Sequence, residues 1–219
     1  MREEKTDKQY VAVIGDLVGS KSIDNRQAVQ EKLLDTLSDV NSIFKNSLYA
    51  GFIVTTGDEF QALAMDLKSA YELTIEIKHR LDPYPVRFGI GRGSLNVFPN
   101  NREYAIGFDG EAFWRAREAI QVSEQSGVSV VFRTGSENDD ILKSIQTGID
   151  WISWNRTNFQ KEVIKLNFSG MKQKDIAHRL KSQQPNISRA LKEGGVSETT
   201  DLKNAVFSIL DRLYINIMI

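Results

Sequence analysis

Apolar residues recur along the first part of the chain at two spacings, which separate predicted strands from predicted helices. Residues 10–20 (YVAVIGDLVGS) are apolar on both faces, as is typical of a buried central strand. From Val29 to Phe44 the apolar residues follow helical spacing instead, with Asp24 or Asn25 in position to cap the helix. The chain therefore opens with a predicted strand and an amphipathic helix.

The same change of spacing continues as far as residue 135. The pattern predicts a strand, a tight turn and a second strand, then a helix stopped by Pro83, a strand, a helix closed by Gly127 and a last strand. These elements lie over residues 48–65, 69–82, 86–97, 110–126 and 128–135. The order β-α-β-β-α-β, with one helix and one strand added, predicts an α+β, ferredoxin-like domain.

The pattern changes after Gly135, and no convincing strand follows. We therefore predict an α+β domain over residues 9–136 and an all-helical domain over 137–219, preceded by a mobile charged tail over 1–8. The last helix, predicted over 200–219, carries an apolar stripe that would cap the helical domain or pair with a second copy in a homodimer. The members of the stripe are Leu202, Val206, Ile209, Leu213 and Ile217.

Residues 171–195 have the spacing of a helix-turn-helix. Residues 181–184 (KSQQ) form the predicted turn, with Lys181 where a glycine is common, and Pro185 suits the first turn of the second helix. The positions where the two helices would cross are Ile176, Ala177, Leu180, Ile187 and Leu191. The alternative is a two-helix packing motif with a solvated charged face.

Charge is concentrated in this segment. The chain as a whole has a net charge of −1, but residues 171–195 hold six Lys and Arg against Asp175 and Glu193. A basic island in an acidic chain is typical of a protein that contacts nucleic-acid phosphates, and a second helix of this kind enters the major groove of double-stranded DNA. The predicted DNA-binding residues are Lys172, Lys174, Gln183, Gln184, Asn186, Ser188, Arg189 and Lys192.

Two acids fall at neighbouring points of the predicted sheet. In a β-α-β-β-α-β fold the first and third strands are adjacent and antiparallel, so Asp16 at the end of strand one is expected beside Asp58 on the hairpin. Two such carboxylates repel each other unless a cation lies between them, and Mg²⁺ (or Mn²⁺) suits oxygen ligands, with the carbonyl of Leu17 as a further one. Gly-Asp is also a common turn dipeptide, so the turn alone could explain Asp58.

The predicted strand over 86–97 places Arg87, Gly89 and Gly91 on one face. A face of glycines leaves a trough for a base or ribose, or it allows tight helix packing or a dimer contact. On the following helix, Arg115 and Arg117 could bind phosphate. The alternative for both arginines is a solvated helix face, on which Arg115 would pair with Glu111 and Glu118.

These segments resemble known enzymes. VIGDLVGS and TTGDEFQALA resemble the strand-one and hairpin aspartates of class III nucleotide cyclases and GGDEF diguanylate cyclases, which share a polymerase-palm core. RFGIGRGSL is similar to the glycine-rich fourth strand of the cyclases, and EAFWRARE to a helix of GGDEF domains. Most of the chain resembles the SatD family, in which such a core precedes a helix-turn-helix.

The resemblance implies a set of site residues. It assigns metal binding to Asp16, Leu17 and Asp58, and catalysis to Asp16 and Asp58 together with Glu59 and Arg117, because paired aspartates hold two Mg²⁺ ions in those cyclases. The predicted nucleotide-binding residues are Leu17, Gly19, Ser20, Gly57, Arg87, Gly89, Gly91 and Arg115.

The chain also departs from the cyclase patterns. Thr56 stands where GGDEF enzymes have a first glycine, Trp114 and Glu118 replace the Asn and Arg of class III enzymes, and Gln121 replaces a basic residue of GGDEF helices. The acids therefore match the cyclases better than the groups that would stabilise a transition state.

Composition narrows the class of protein. The sequence has no cysteine and no apolar run near the ~18 residues of a membrane helix, which predicts a cytoplasmic protein without disulfides or a membrane partner. We therefore predict a DNA-binding regulator that senses a nucleoside triphosphate with Mg²⁺. The alternatives are a nucleotidyl cyclase or nucleotidyltransferase and a dimerisation platform that has lost its ligand.

Overall fold

The computed structural model describes residues 8–20 and 25–215, with side chains as far as Leu213. Its strands are β1 Tyr10–Leu17, β2 Leu48–Thr56, β3 Glu59–Ala64, β4 Val86–Gly93 and β5 Val130–Arg133. Its helices are α1 Arg26–Ile43, α2 Leu67–Leu81, α3 Glu111–Ser126, α4 Asp139–Trp154, α5 Asn158–Phe168, α6 Gln173–Arg179, α7 Gln184–Glu193 and α8 Val196–Ile215, with a 3₁₀ turn at Lys45–Ser47. The predictions for the tail, Asp24 and Ile217 fall outside the described residues or side chains.

The five strands form one sheet in the order β2-β3-β1-β4-β5. Strand β1 is central and antiparallel to both β3 and β4, while β5 is parallel to β4 and follows it through α3. The prediction of a mixed α+β fold with β1 beside β3 is therefore confirmed. The predicted strand over 86–97 is too long, because β4 ends at Gly93 and residues 94–97 lie in a loop.

Alternating residues of β1 contribute to two cores, one on each face of the sheet. Ala12 and Ile14 belong to a cluster with Leu63 of β3 and Ala112 and Phe113 of α3. Because successive strand residues point to opposite faces, Val13 is directed to the other side of the sheet, and it is fully buried there. Burial on both faces explains why β1 is a continuous apolar run.

The chain divides into two compact units. The first comprises the chain up to Lys143 together with the segment from Ile209, and the second comprises Ser144–Ser208. In the second unit α5, α6 and α7 share a core of Val163, Leu166, Ile176, Ala177, Ile187 and Ala190. No helix within the described ranges combines the length and apolar character needed to cross a membrane.

The pattern of apolar residues did not identify α5 as a separate helix. Its N-terminus carries a capping box, in which the Thr157 side chain accepts from the Gln160 backbone and the Gln160 side chain accepts from the Thr157 backbone. The Thr-x-x-Gln spacing is visible in the sequence and could have marked this helix start.

Candidate functional site

A two-residue turn carries the first acid. Strand β2 ends at Thr56 and β3 begins at Glu59, so Gly57 and Asp58 form the tip of the hairpin. Gly57 has φ +64°, which the first central position of a type II′ turn requires and which a glycine adopts without strain. The turn therefore explains Gly57 by backbone conformation alone, and it leaves Asp58 to be explained by its surroundings.

Asp16 lies beside this turn. Gly15 pairs with Phe60 across the β1–β3 ladder, and the structure brings the carboxyls of Asp16 and Asp58 close enough to interact. Burial, followed by the negative charge of Asp58, raises the pKa of Asp16 to about 6. Asp16, Asp58 and Glu59 are called the acidic tip below.

Two arginines face the acidic tip. The Arg87 side chain donates from Nε to Oδ2 of Asp16 at 2.9 Å, and its NH1 lies 3.4 Å from Oε1 of Glu124. This guanidinium lowers the pKa of Asp16 and so opposes part of the effect of Asp58. Arg117 of α3 forms an ion pair with Glu59. Arg87, a predicted nucleotide-binding residue, and Arg117, a predicted phosphate-binding residue, are thus engaged by acids of the tip.

The donor set permits a magnesium ion with few protein ligands. Asp16 and Asp58 supply carboxylate oxygens, and Mg²⁺ is commonly held by one or two carboxylates while waters and phosphate oxygens complete its shell. Among the described residues, no group of three or more His, Cys, Asp or Glu side chains has the arrangement of a metal site. The tip thus fits an ion completed by a ligand, and it does not form a cage made entirely of protein.

The glycines of β4 require a correction. A Cβ on Gly89 would lie 2.2 Å from the backbone oxygen of Ala116, and one on Gly91 would lie 2.2 Å from the backbone oxygen of Ala112. Helix α3 fills the face where an open trough for a base or ribose was one expectation. Tight helix packing, the other expectation, explains these glycines, so this face of β4 has no open trough for a base or ribose.

Arg115 is also held within the fold. Its NH1 donates to the carbonyl oxygens of Arg92 at 2.6 Å and Thr134 at 3.3 Å, and its NH2 pairs with Glu111 at 2.8 Å. The expected partner Glu111 is therefore found, whereas Glu118 pairs with Arg133 at 2.9 Å. Arg115 thus joins α3 to the ends of β4 and β5, and its role in phosphate binding stays a prediction.

The segment after Asp16 contains the other predicted nucleotide-binding residues. Leu17 is buried and pairs with Val86 in the β1–β4 ladder. Gly19 is exposed in a turn with φ +71°, and Ser20 is buried. These positions follow the acidic tip directly in the chain, so the structure leaves their assignment a prediction.

A groove beside Arg117 was missed by the sequence patterns. It has a volume of about 420 Å³ and lies between β3, α3 and the loop before α3. Its lining is Gln61, Phe108, Asp109, Phe113, Trp114, Arg117, Glu118 and Gln121. The loop residues Phe108 and Asp109 follow no helix or strand period, so no pattern in the sequence could have placed them beside β3.

The basic segment, residues 171–195, contains α6, α7 and the turn between them. Leu180–Gln183 separate the helices, and Lys181 has φ +49°, the left-handed conformation that glycine usually supplies at such a turn. Ile176, Ala177 and Ile187 are buried where the two helices meet, as the spacing predicted. Pro185 lies in the first turn of α7.

Every predicted DNA-binding side chain in the basic segment is exposed. Its six Lys and Arg residues make no ion pair with any side chain that the structure describes. Within the described part of the chain, the hydrogen bond that these side chains make is a long one, 3.4 Å, from the Asn186 side-chain amide to Oγ of Ser182. The segment thus presents unneutralised positive charge to solvent.

A protein-family model matches most of the chain. The model of the SatD family matches residues 10–209, which include both the acidic tip and the basic segment. The chain belongs to the SatD family. A comparison with curated proteins found no match.

Solved structures similar to this SatD family chain include nucleotide cyclases and GGDEF domains. A bacterial light-regulated adenylyl cyclase is 12% identical with a TM-score of 0.41, over 57% of this chain and 74% of the other. The guanylate cyclase domain of RhGC from Catenaria anguillulae, solved with GTP, is 14% identical with a TM-score of 0.40, over 52% and 73%. The GGDEF domain of YfiN from Pseudomonas aeruginosa is 14% identical with a TM-score of 0.36, over 54% and 78%. Similarities at this level do not decide an activity.

Proposed function

We propose that this chain is a DNA-binding transcriptional regulator whose first unit binds a divalent cation and a nucleoside triphosphate. The observation that carries the proposal is the basic segment, in which six exposed cations have no ion-pair partner among the described side chains. Exposed charges of one sign contribute little to folding stability by themselves. A partner bearing phosphate groups is the simplest reason to collect them in one short segment.

The helix geometry supports double-stranded DNA as that partner. In helix-turn-helix proteins the N-terminal residues of the second helix contact base edges, and here Gln183, Gln184 and Asn186 occupy that end of α7. Amide side chains suit adenine, and Arg189, about one turn further along, suits guanine or phosphate. Lys172, Lys174 and Lys192 are then backbone contacts. Such readers usually bind as dimers, so we propose a homodimer on two half-sites.

The acidic tip supports the second half of the proposal. Asp16 and Asp58 repel each other, and an Mg²⁺ or Mn²⁺ ion between them would relieve that repulsion while binding phosphate oxygens. The nucleotide would regulate DNA binding only if its affinity differs between the DNA-competent and incompetent states of the protein. Gly57 and the segment from Leu17 to Ser20 are the proposed backbone contacts to the phosphates.

Selection from a random pool of double-stranded DNA tests the first half, because the operator is unknown. The expected result is an enriched sequence whose affinity falls as salt rises, with a slope of log affinity against log salt near −5 if all six cations contact phosphate, since each contact contributes about −0.9. No enrichment and no salt-dependent binding to any duplex would exclude the regulator. Thermal stabilisation by nucleotides with Mg²⁺ tests the second half.

Nucleotidyl transfer is the second candidate, and the Asp16–Asp58 pair is the observation that favours it. In such a reaction a ribose 3′-hydroxyl would attack the α-phosphate in line and lose its proton to solvent as pyrophosphate leaves. Asp16 and Asp58 would hold divalent ions, which would neutralise the charge of the phosphates. The test is product formation from ATP or GTP with Mg²⁺ or Mn²⁺, abolished in Asp58→Asn. Stabilisation by nucleotide without turnover favours the sensor instead, and no response to any nucleotide or metal leaves a dimerisation platform.

A further inference from the structure

The groove beside Arg117 borders the acidic tip. Arg117 lines the groove and also pairs with Glu59, while Gln61 lines it from β3, two residues beyond Glu59. Two residues of strand span about 7 Å. A ligand whose phosphates lie at the tip would therefore reach the groove with the part of the molecule that follows them.

The groove has aromatic walls. Phe108 and Phe113 are nearly buried at 7% and 8% exposure, whereas Trp114 is 56% exposed, so one large aromatic face is open to a ligand. The indole of Trp114 is fixed by its Nε1 donating to Oδ1 of Asp109 at 2.9 Å. A fixed and exposed indole is a platform on which a planar ring can stack.

Two carboxylates line the same groove, and each can accept further hydrogen bonds. Oε1 of Glu118 accepts from Arg133 Nε at 2.9 Å, and Oδ1 of Asp109 accepts from Trp114. The second oxygen of each makes no hydrogen bond to any residue that the structure describes. Since an ionised carboxylate accepts about four hydrogen bonds, both groups can still accept from a ligand.

We propose that this groove receives the base of the bound nucleotide within the same chain, and that Asp109 and Glu118 select guanine over adenine. The Watson–Crick edge of guanine carries two adjacent donors, N1–H and the N2 amino group, which match the acceptors of a carboxylate. Adenine offers one amino donor beside the N1 acceptor, and that acceptor would face a carboxylate without a hydrogen bond. The inference rests on the nucleotide binding proposed above.

Trp114 provides a direct readout. The chain has three tryptophans, and Trp151 and Trp154 are 65% and 61% exposed, so replacing both by Phe leaves Trp114 as the single indole at little cost to the fold. GTP and ATP are then titrated with Mg²⁺ while Trp114 fluorescence is followed. We expect GTP to quench the fluorescence and to bind at least about tenfold more tightly than ATP, since a site built around hydrogen bonds rejects an analogue that cannot make them.

Two variants separate the parts of the site. Glu118→Gln replaces an acceptor pair by one acceptor and one donor, which matches adenine, so the preference for GTP should fall to within about threefold or reverse. Glu72→Gln, an exposed glutamate in the middle of α2 and outside the groove lining, is the matched control and should keep the preference. Asp58→Asn should weaken both nucleotides and keep their ratio.

The outcomes distinguish the two proposals. In one outcome GTP and ATP both bind with Mg²⁺, and Asp58→Asn weakens both, which supports the nucleotide site at the acidic tip. If the two nucleotides then bind equally and leave Trp114 fluorescence unchanged, the assignment of the groove to the base is wrong. If neither nucleotide binds at any Mg²⁺ concentration, the nucleotide half of the proposed function fails and the groove assignment fails with it.

Discussion

The acidic tip and the basic segment handle charge in opposite ways. At the tip, Arg87 lies 2.9 Å from Asp16 and Arg117 pairs with Glu59, so the arginines that face the acids are already engaged. In the basic segment, six Lys and Arg residues are without an ion-pair partner among the described side chains. The fold pairs Asp16 and Glu59 of the tip with arginines, whereas it leaves the cations of the basic segment to solvent.

The difference indicates which conditions would control ligand binding at each region. A ligand at the tip must compete with pairs that the fold already makes, so binding there is linked to the protonation of Asp16 and to the positions of Arg87 and Arg117. A ligand on the basic segment displaces only water and counterions, so binding there is governed by salt. The four predictions below test this contrast.

The largest effect should come from separating α3 from the sheet, because α3 carries Arg117 to the acidic tip. We expect Gly91→Val to lower the free energy of unfolding by roughly 3–5 kcal/mol, since its Cβ would collide with backbone atoms of Ala112 and Ala116 that cannot move aside. Urea denaturation measures the loss. A soluble protein with wild-type stability would show that α3 does not lie directly on β4.

A glycine in the second unit is the control for that variant. A Cβ on Gly148 would meet Leu202 Cδ1 at 3.6 Å, an ordinary contact. Gly148 lies inside α4, so Gly148→Ala should raise the free energy of unfolding by about 0.5–1 kcal/mol through helix propensity.

The second prediction concerns the like-charged pair at the acidic tip. Because the pKa of Asp16 is raised to about 6 in the folded state, this group stabilises the fold most below its ordinary pKa of 3.8, and the contribution is lost as pH rises through 6. Asp58→Asn removes one cause of that rise. Without metal at pH 7, we expect the variant to be more stable than the wild type by about 1–2 kcal/mol in urea denaturation.

Magnesium should invert that order. At pH 7 it should raise the thermal midpoint of the wild type and leave Asp58→Asn unchanged, because the variant has lost one of the two carboxylates. At pH 5, where Asp16 is mainly protonated, the wild type should lose most of its response. An equal response to Mg²⁺ in both proteins at pH 7 would exclude the acidic tip as the cation site.

Features of the site that follow from strand order could be predicted from the sequence, whereas features that depend on contacts between distant residues could not. The neighbourhood of Asp16 and Asp58 was predictable, because strand order alone brings the end of β1 to the β2–β3 turn. The covering of Gly91 by α3 was not, since glycine in a strand fits both a ligand trough and a helix contact. Arg115 was left open for the same reason, because its carbonyl partners on Arg92 and Thr134 are distant in sequence.

The third prediction concerns the unpaired cations. Arg189→Ala should weaken binding to selected DNA about tenfold and reduce the slope of log affinity against log salt by about 1, because one phosphate or guanine contact is lost. Fluorescence anisotropy measures both. The matched control is Arg80→Ala, whose guanidinium already pairs with Glu76 and Asp39, and its DNA affinity should stay at the wild-type value. An equal loss in both variants would mean that Arg189 has no particular role.

The smallest effect should come from the turn between α6 and α7, where stability and charge oppose each other. Lys181 has φ +49°, a conformation that costs a side chain about 1 kcal/mol or more and costs glycine nothing. Lys181→Gly should therefore raise the free energy of unfolding by about 0.5–1 kcal/mol, after the greater entropy of glycine in the unfolded chain is subtracted. The same change removes one exposed cation, so DNA affinity should fall by a few-fold and the salt slope should decrease. A variant that is stabilised without any loss of salt-dependent DNA affinity would show that Lys181 serves only the turn. A destabilised variant would mean that the lysine side chain makes a stabilising contact that outweighs the cost of its positive φ.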